Sequence, residues 1–215
     1  MMLDSPSEGH CYADINAAFQ FLRQKLKIPN KNIVLYGRSL GSGPSCYLAS
    51  GSASESREGC EDGPVGGVIL HAPFLSVYRI VIDTGCTVYG DKFPNIDYAP
   101  FIESPVMLVH GTADLIVPFN HSERLYEKLP PHTRARPLFI DGMGHNNVHA
   151  SVRPMFVERL TEYLEEHVWP SVEKQGRRKV IVKSKSEKRV RVRLLKNQQS
   201  TQVGTTDSSE LIPRA

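Results

Sequence analysis

No stretch of this chain approaches the roughly 18 consecutive apolar residues that a membrane-crossing helix needs. The opening residues, Met1-Met2-Leu3-Asp4-Ser5-Pro6, carry neither a basic n-region nor an apolar h-region, so no secretory signal is expected. Cysteine is sparse. Cys11, Cys46, Cys60 and Cys86 form no Cys-x-x-Cys pair, which argues against a zinc ribbon and a thioredoxin-type site. These features predict a cytoplasmic chain with reduced thiols. Glycine and proline, 16 and 15 in 215 residues, are too few for a collagen. With 40% hydrophobic and 23% charged residues, the composition suits one α/β domain and excludes a coiled coil or a chain disordered throughout.

Charge is unevenly spread. Residues 1–170 hold 14 Lys+Arg against 19 Asp+Glu, a net of −5, whereas residues 171–215 hold 12 against 4, a net of +8. The two sum to the +3 of the whole chain. The division predicts a core over 1–170 and a basic, mostly disordered tail over 171–215.

Apolar positions in 10–27 recur at helical spacing (Tyr12, Ile15, Ala18, Phe19, Leu22, Leu26), predicting one amphipathic helix that ends at Pro29-Asn30. Asn32-Ile33-Val34-Leu35-Tyr36 reads as a buried strand, followed by a tight turn from Gly37 to Gly43 and a helix through Tyr47-Leu48-Ala49. Residues 50–67, rich in Gly, Ser and Glu, read as a surface loop. Further strands are expected at Val68-Ile69-Leu70-His71, Val106-Met107-Leu108-Val109-His110 and Pro137-Leu138-Phe139-Ile140. Helices are expected near 122–129 and 152–168, the latter with Phe156, Leu160, Tyr163 and Leu164 on one face. Alternation of this kind predicts a parallel sheet with helices on both sides.

The sharpest motif is Gly37-Arg38-Ser39-Leu40-Gly41, placed between a predicted strand and a predicted helix. That context defines a Gly-x-Ser-x-Gly nucleophile elbow. Small residues two positions either side of the serine let strand and helix pass closely, and the helix N-terminus offers N–H groups to a developing oxyanion. A serine hydroxyl needs a base, and the base needs an orienting acid. In chain order, Asp114 follows the third strand and His145 follows the fourth, so all three residues are expected at one edge of the sheet. Asp141 is a rival acid on the histidine's own loop. His149 stands four residues after His145, but Gly144 and the lack of an intervening Glu argue against a metal pair, and no metal or cofactor is expected. His71 and His110 end strands and are expected to be packed or hydrogen-bonded.

Four segments together resemble the α/β-hydrolase-domain-containing 17 group. They are Tyr36 to Pro44, Asp91-Lys92-Phe93-Pro94-Asn95-Ile96, Val109 to Asp114, and Gly144-His145-Asn146. The Phe-Pro-Asn stretch is the part most particular to that group, whose members are serine hydrolases that remove palmitate from cysteines of membrane-associated proteins. The resemblance implies Ser39 as acyl nucleophile, His145 as general base and then acid, and Asp114 as its orienting partner. Leu40 N–H is then an oxyanion donor, and Phe74, Leu75, Ile116, Val117 and Met143 are candidates to line an acyl-chain groove. It implies an S-acylated protein or acyl ester as substrate.

The resemblance also exposes a departure. In that group the elbow follows the fifth strand of an eight-strand sheet, and here it follows the first strand legible. Neither the earlier strands, nor the loop giving the second oxyanion N–H, nor the N-terminal cysteine cluster has a counterpart. The expectation is a partial α/β-hydrolase fold lacking its N-terminal strands, with the first strand as an apolar edge. The alternative function is a truncated, non-catalytic remnant that binds a partner or a membrane. The basic tail, with Arg177-Arg178-Lys179 and Lys188 to Arg193, is a candidate for an anionic membrane surface and makes a peripheral membrane location an alternative to a freely cytoplasmic one. Nucleic-acid contact or a nuclear signal is open on the same residues, with no specific nucleic acid expected.

Overall fold

The computed structural model describes residues 6–51, 63–82, 85–146 and 152–170. The predicted tail over 171–215, most of the 50–67 loop, Cys60 and His149 lie outside the described residues. The chain divides into one unit over Met1–Arg177 and another over Arg178–Ala215, and only the first contains described residues.

Helix α1 (Glu8–Gln20) starts where Ser7 caps it, its hydroxyl accepting the His10 N–H at 3.2 Å. The expected single helix over 10–27 does not persist. A π-helical turn over Phe21–Lys25 takes over, and Leu26 N–H bonds back to the Phe21 carbonyl at 3.1 Å. The i→i+5 step rotates the apolar stripe. Phe19 is buried and Leu22 partly so, whereas Ala18 and Leu26 face solvent, contrary to the expected face.

Four strands follow: β1 (Val34–Arg38), β2 (Gly67–His71), β3 (Val106–Gly111) and β4 (Leu138–Ile140). They pair in parallel in the order β1-β2-β3-β4. β1 lies two residues later than expected. Asn32 belongs to a 3-10 turn, and Gly37 and Arg38 are still paired in the ladder, opposite Leu70 and His71. Every residue of β2 and β3 is buried, as a β-branched run between two helical layers should be. On β1, by contrast, Leu35 and Gly37 are buried while Tyr36 and Arg38 are exposed. Among the described residues β1 pairs on one side only, so it is the sheet edge that was anticipated.

Two apolar layers sandwich the sheet. On one face α1, α2 (Ser42–Ala49) and α4 (Asn120–Lys128) enclose Leu35, Val68, Leu70, Val106 and Leu108. On the other, α5 (Arg153–Tyr163) lies over Ile69, Met107, Val109 and Ile140. Tyr163, fully buried, ties α5 to the sheet by donating to the Pro105 carbonyl at 2.7 Å and accepting the Val68 N–H at 2.9 Å. A Cβ at Gly67 would collide with that hydroxyl, so the close approach requires glycine. A four-residue helix, α3 (Asn95–Tyr98), had no periodic signal strong enough to be read from sequence. Among the described residues no helix is long and apolar enough to cross a membrane.

Candidate active site

The elbow is built as its sequence requires. Ser39 sits directly after β1 with φ of +49°, a left-handed conformation that costs a non-glycine residue on the order of 1 kcal/mol or more. A single 3-10 turn, Ser39–Gly41, then feeds α2. Gly37 makes this possible. A Cβ there would come 2.5 Å from the Gly41 carbonyl oxygen and 2.6 Å from Ser45 Oγ. Gly41 differs from expectation, because a Cβ there would meet nothing within 4 Å. The second close approach is at Gly43, where a Cβ would enter the Phe93 ring.

Ser39, His145 and Asp114 converge. Ser39 Oγ lies 3.0 Å from His145 Nε2, and His145 Nδ1 lies 2.7 Å from Asp114 Oδ2. All three follow the C-terminal ends of β1, β4 and β3, on one edge of the sheet. The Asp114 side chain is almost wholly buried, and its second oxygen, Oδ1, accepts the N–H groups of Ile116 and Val117, each at 2.9 Å. Burial pushes the carboxyl pKa up, but the Val117 N–H, His145 and the Ile116 N–H outweigh it and hold the pKa below its ordinary value. Asp114 is therefore an anion at neutral pH. It fixes the proton on His145 Nδ1 and leaves the Nε2 lone pair to accept the Ser39 hydroxyl. Asp141, the rival acid, instead accepts from Thr112 Oγ1 at 2.9 Å.

His110 is packed and hydrogen-bonded, as expected, and touches the site from behind. Its Nε2 lies 3.0 Å from the Val117 carbonyl and 3.2 Å from Asp114 Oδ2, and Nδ1 lies 2.6 Å from Ser122 Oγ. Burial lowers its pKa despite the hydrogen bond to Val117 and the nearby Asp114. A neutral ring that donates from Nε2 and accepts the Ser122 hydroxyl at Nδ1 satisfies all three contacts. His71 is likewise buried, 2.8 Å from the Tyr36 hydroxyl, with its pKa lowered to about 4 by burial and then by Arg38.

The candidate groove residues separate. Phe74, Leu75, Val117 and Met143 are buried at 3% exposure or less and pack in the core. Ile116, at 53%, presents its side chain to solvent. So does Leu40, whose N–H lies in the first turn of the helical segment, where unpaired N–H groups and the helix dipole gather positive potential. Leu115, next to Ile116, is exposed as well.

Sequence reasoning gave no role to three residues, two that hold the elbow and one that holds the histidine loop. Ser42 Oγ donates to the Ser39 carbonyl at 2.7 Å. Asn95 Nδ2 donates to Ser42 Oγ at 3.0 Å and to the Phe74 carbonyl at 2.9 Å, and both side chains are fully buried. Arg38 Nη2 donates to the His145 carbonyl at 2.7 Å and to Asn146 Oδ1 at 2.8 Å. The signal for Asn95 was the Phe-Pro-Asn stretch itself. Phe93 packs on Gly43, and Asn95 braces the turn from beneath. Arg38 carried no signal, since it occupies a variable position of the motif.

No protein-family model matches the chain. Among curated proteins it is 38% identical over 160 residues to α/β hydrolase domain-containing protein 17C of Mus musculus, covering 74% of this chain and 45% of that protein. It is 36% identical over 164 residues to protein 17B of Homo sapiens, covering 76% and 52%. The chain thus spans about half the length of the curated relatives it matches. Among solved structures, a monoacylglycerol lipase of Paleococcus ferrophilus superposes with a TM-score of 0.52 at 19% identity, over 75% of this chain and 76% of that one. That likeness shows the fold: a parallel sheet flanked by helices, part of an α/β-hydrolase architecture. Over about three quarters of its length, this chain is thus similar to proteins of the α/β-hydrolase-domain-containing 17 group.

Proposed function

We propose that the chain is a serine hydrolase of acyl thioesters or esters, with S-palmitoylated protein cysteines as its principal substrate. The observation that carries this reading is the hydrogen-bonded series Asp114–His145–Ser39 at one sheet edge. As the Ser39 oxygen attacks the carbonyl carbon, its proton passes to His145 Nε2 and a C–O bond forms. Asp114, already ionised, stabilises the imidazolium through Nδ1–H. Collapse of the tetrahedral intermediate breaks the C–S bond, and His145 returns the proton to the departing thiolate. Water, activated by the same imidazole, then hydrolyses the acyl-enzyme, releasing a fatty acid and restoring Ser39.

The Leu40 N–H is the proposed oxyanion donor on this chain, and in a comparable site one such donor is worth roughly 10²–10³ in rate. Leu40, Leu115 and Ile116 provide exposed apolar surface near the reacting groups, and Ile116 is the proposed acyl contact among the five groove candidates. Phe74, Leu75, Val117 and Met143 are packed in the core and are not proposed to touch the acyl chain. The basic stretch over 171–215 is proposed to hold the enzyme peripherally at the anionic cytoplasmic surface of a membrane, at about 1 kcal/mol per near-surface charge.

The test is release of free thiol from an S-palmitoyl peptide by the full chain. Turnover that disappears in Ser39→Ala supports the reading. A folded chain without turnover contradicts it and favours the binding-module alternative.

A further inference from the structure

We infer that Arg38 is a positioning residue that sets the distance between the nucleophile and its base. The inference rests on the serine-hydrolase reading, and it follows from how the histidine loop is held. The upstream part of that loop is stitched to the loop bearing Asp114. Ala113 N–H bonds to the Met143 carbonyl at 3.1 Å, and Gly142 N–H bonds to Thr112 Oγ1 at 3.0 Å. A Cβ at Gly111 would collide with the Met143 carbonyl, so the two loops lie in close contact. These bonds hold the upstream end of the His145 loop against the Asp114 loop and leave its downstream end, and its distance from Ser39, to other contacts.

The downstream part, His145 and Asn146, is held differently. Among the described residues, its hydrogen bonds from outside the Asp114–His145–Ser39 series come from Arg38. One Nη2 group supplies both, one N–H to the His145 carbonyl and the other to Asn146 Oδ1. Charge-assisted bonds of this kind are shorter and stronger than neutral ones. Arg38 is itself rigid where it matters. It is the last residue of β1, paired with His71, and it immediately precedes Ser39 in its left-handed turn. A guanidinium one residue before the nucleophile thus grips the main chain of the base, and the two reacting groups share a single short mechanical link.

Displacement of about 1 Å in such a constellation costs up to roughly 10²-fold in rate. Arg38→Met keeps the aliphatic stem and removes both donors. The expected result is a 10- to 100-fold fall in kcat on an acyl ester, with KM unchanged within about twofold. Arg38→Lys, which retains charge and a donor but not the guanidinium geometry, should recover part of the loss. Asn146→Ala, which removes one of the two acceptors, should lose less than Arg38→Met. An independent readout is the low-field NMR signal of the His145 Nδ1 proton in the resting chain. Arg38→Met should broaden it through solvent exchange, because the ring is no longer held against Asp114 from both ends.

Unchanged kcat together with an unchanged Nδ1 proton signal in Arg38→Met overturns the inference. If instead Ser39→Ala leaves activity intact, the serine-hydrolase reading fails, and the proton signal alone still decides whether Arg38 positions His145.

Discussion

The two ends of the hydrogen-bonded series are built by different means. Asp114 is enclosed: its carboxylate meets two backbone N–H groups and two imidazoles, and its side chain is almost out of solvent. Ser39 stands at the open rim, beside an edge strand whose Tyr36 and Arg38 face solvent. The acid end is held by desolvated, charge-assisted bonds, each worth more than an exposed one. The nucleophile end is held by backbone geometry: a left-handed serine, a glycine that nothing larger replaces, and a buried Asn95–Ser42 brace beneath. Carboxylate chemistry tunes one end, and steric fit tunes the other.

The largest effect should come from the acid. Asp114→Asn keeps the shape but removes the charge that fixes the His145 tautomer, and a comparable change in a serine protease lowers kcat by about 10⁴. Turnover of an acyl ester against pH measures it. A drop below about tenfold would mean that Asp114 does not orient the base.

The buried His71, behind the nucleophile end, gives the next effect. Its folded pKa of about 4 lies below the unfolded value of 6.5, so between these pH values the unfolded chain binds more protons. Its contribution to stability is complete above about pH 6.5 and is lost as pH falls toward 4, by an amount on the order of 3 kcal/mol. Asp114 acts with the same sign at still lower pH, since its pKa is also depressed and its stabilisation goes as the carboxylate is protonated. Urea unfolding at pH 7 and pH 4.5, repeated on His71→Phe, should show a smaller pH difference in the variant.

Glycine substitutions sharpen the contrast at the elbow. Gly37→Ala forces a Cβ onto the Gly41 carbonyl and should cost about 2–3 kcal/mol by denaturant titration. Gly41→Ala, two residues beyond the serine, meets open space and should stay within about 0.5 kcal/mol. Equal costs would contradict the steric account. Asn95→Ala removes two buried donors and should destabilise by about 2 kcal/mol, lowering kcat through the loosened turn.

These contrasts also explain what could be read from residues alone. The β-branched runs at Val68 and Val106 announced buried strands because parallel strands between helical layers carry an unbroken apolar signal. The elbow, Asp114 and His145 were legible because order along the chain and position at strand ends are one-dimensional properties. The end of β1 is not legible in the residues, since Gly37 and Arg38 look like turn residues and stay paired because β2 lies alongside. The π-turn that swings Leu26 outward has no signature in a 3.6-residue period. The groove candidates rest on proximity in sequence alone, and four of the five lie buried beneath the surface. Asn95 and Arg38 act across 53 and 107 residues of chain, a separation over which spacing carries no information.

The central claim is that Ser39 is an activated nucleophile, and covalent capture addresses it most directly. A fluorophosphonate probe, which phosphonylates an activated serine oxygen, should label the folded full chain at Ser39, label Asp114→Asn more slowly and leave Ser39→Ala unlabelled. Labelling that persists in Ser39→Ala, or a folded chain that the probe never modifies, would contradict the account.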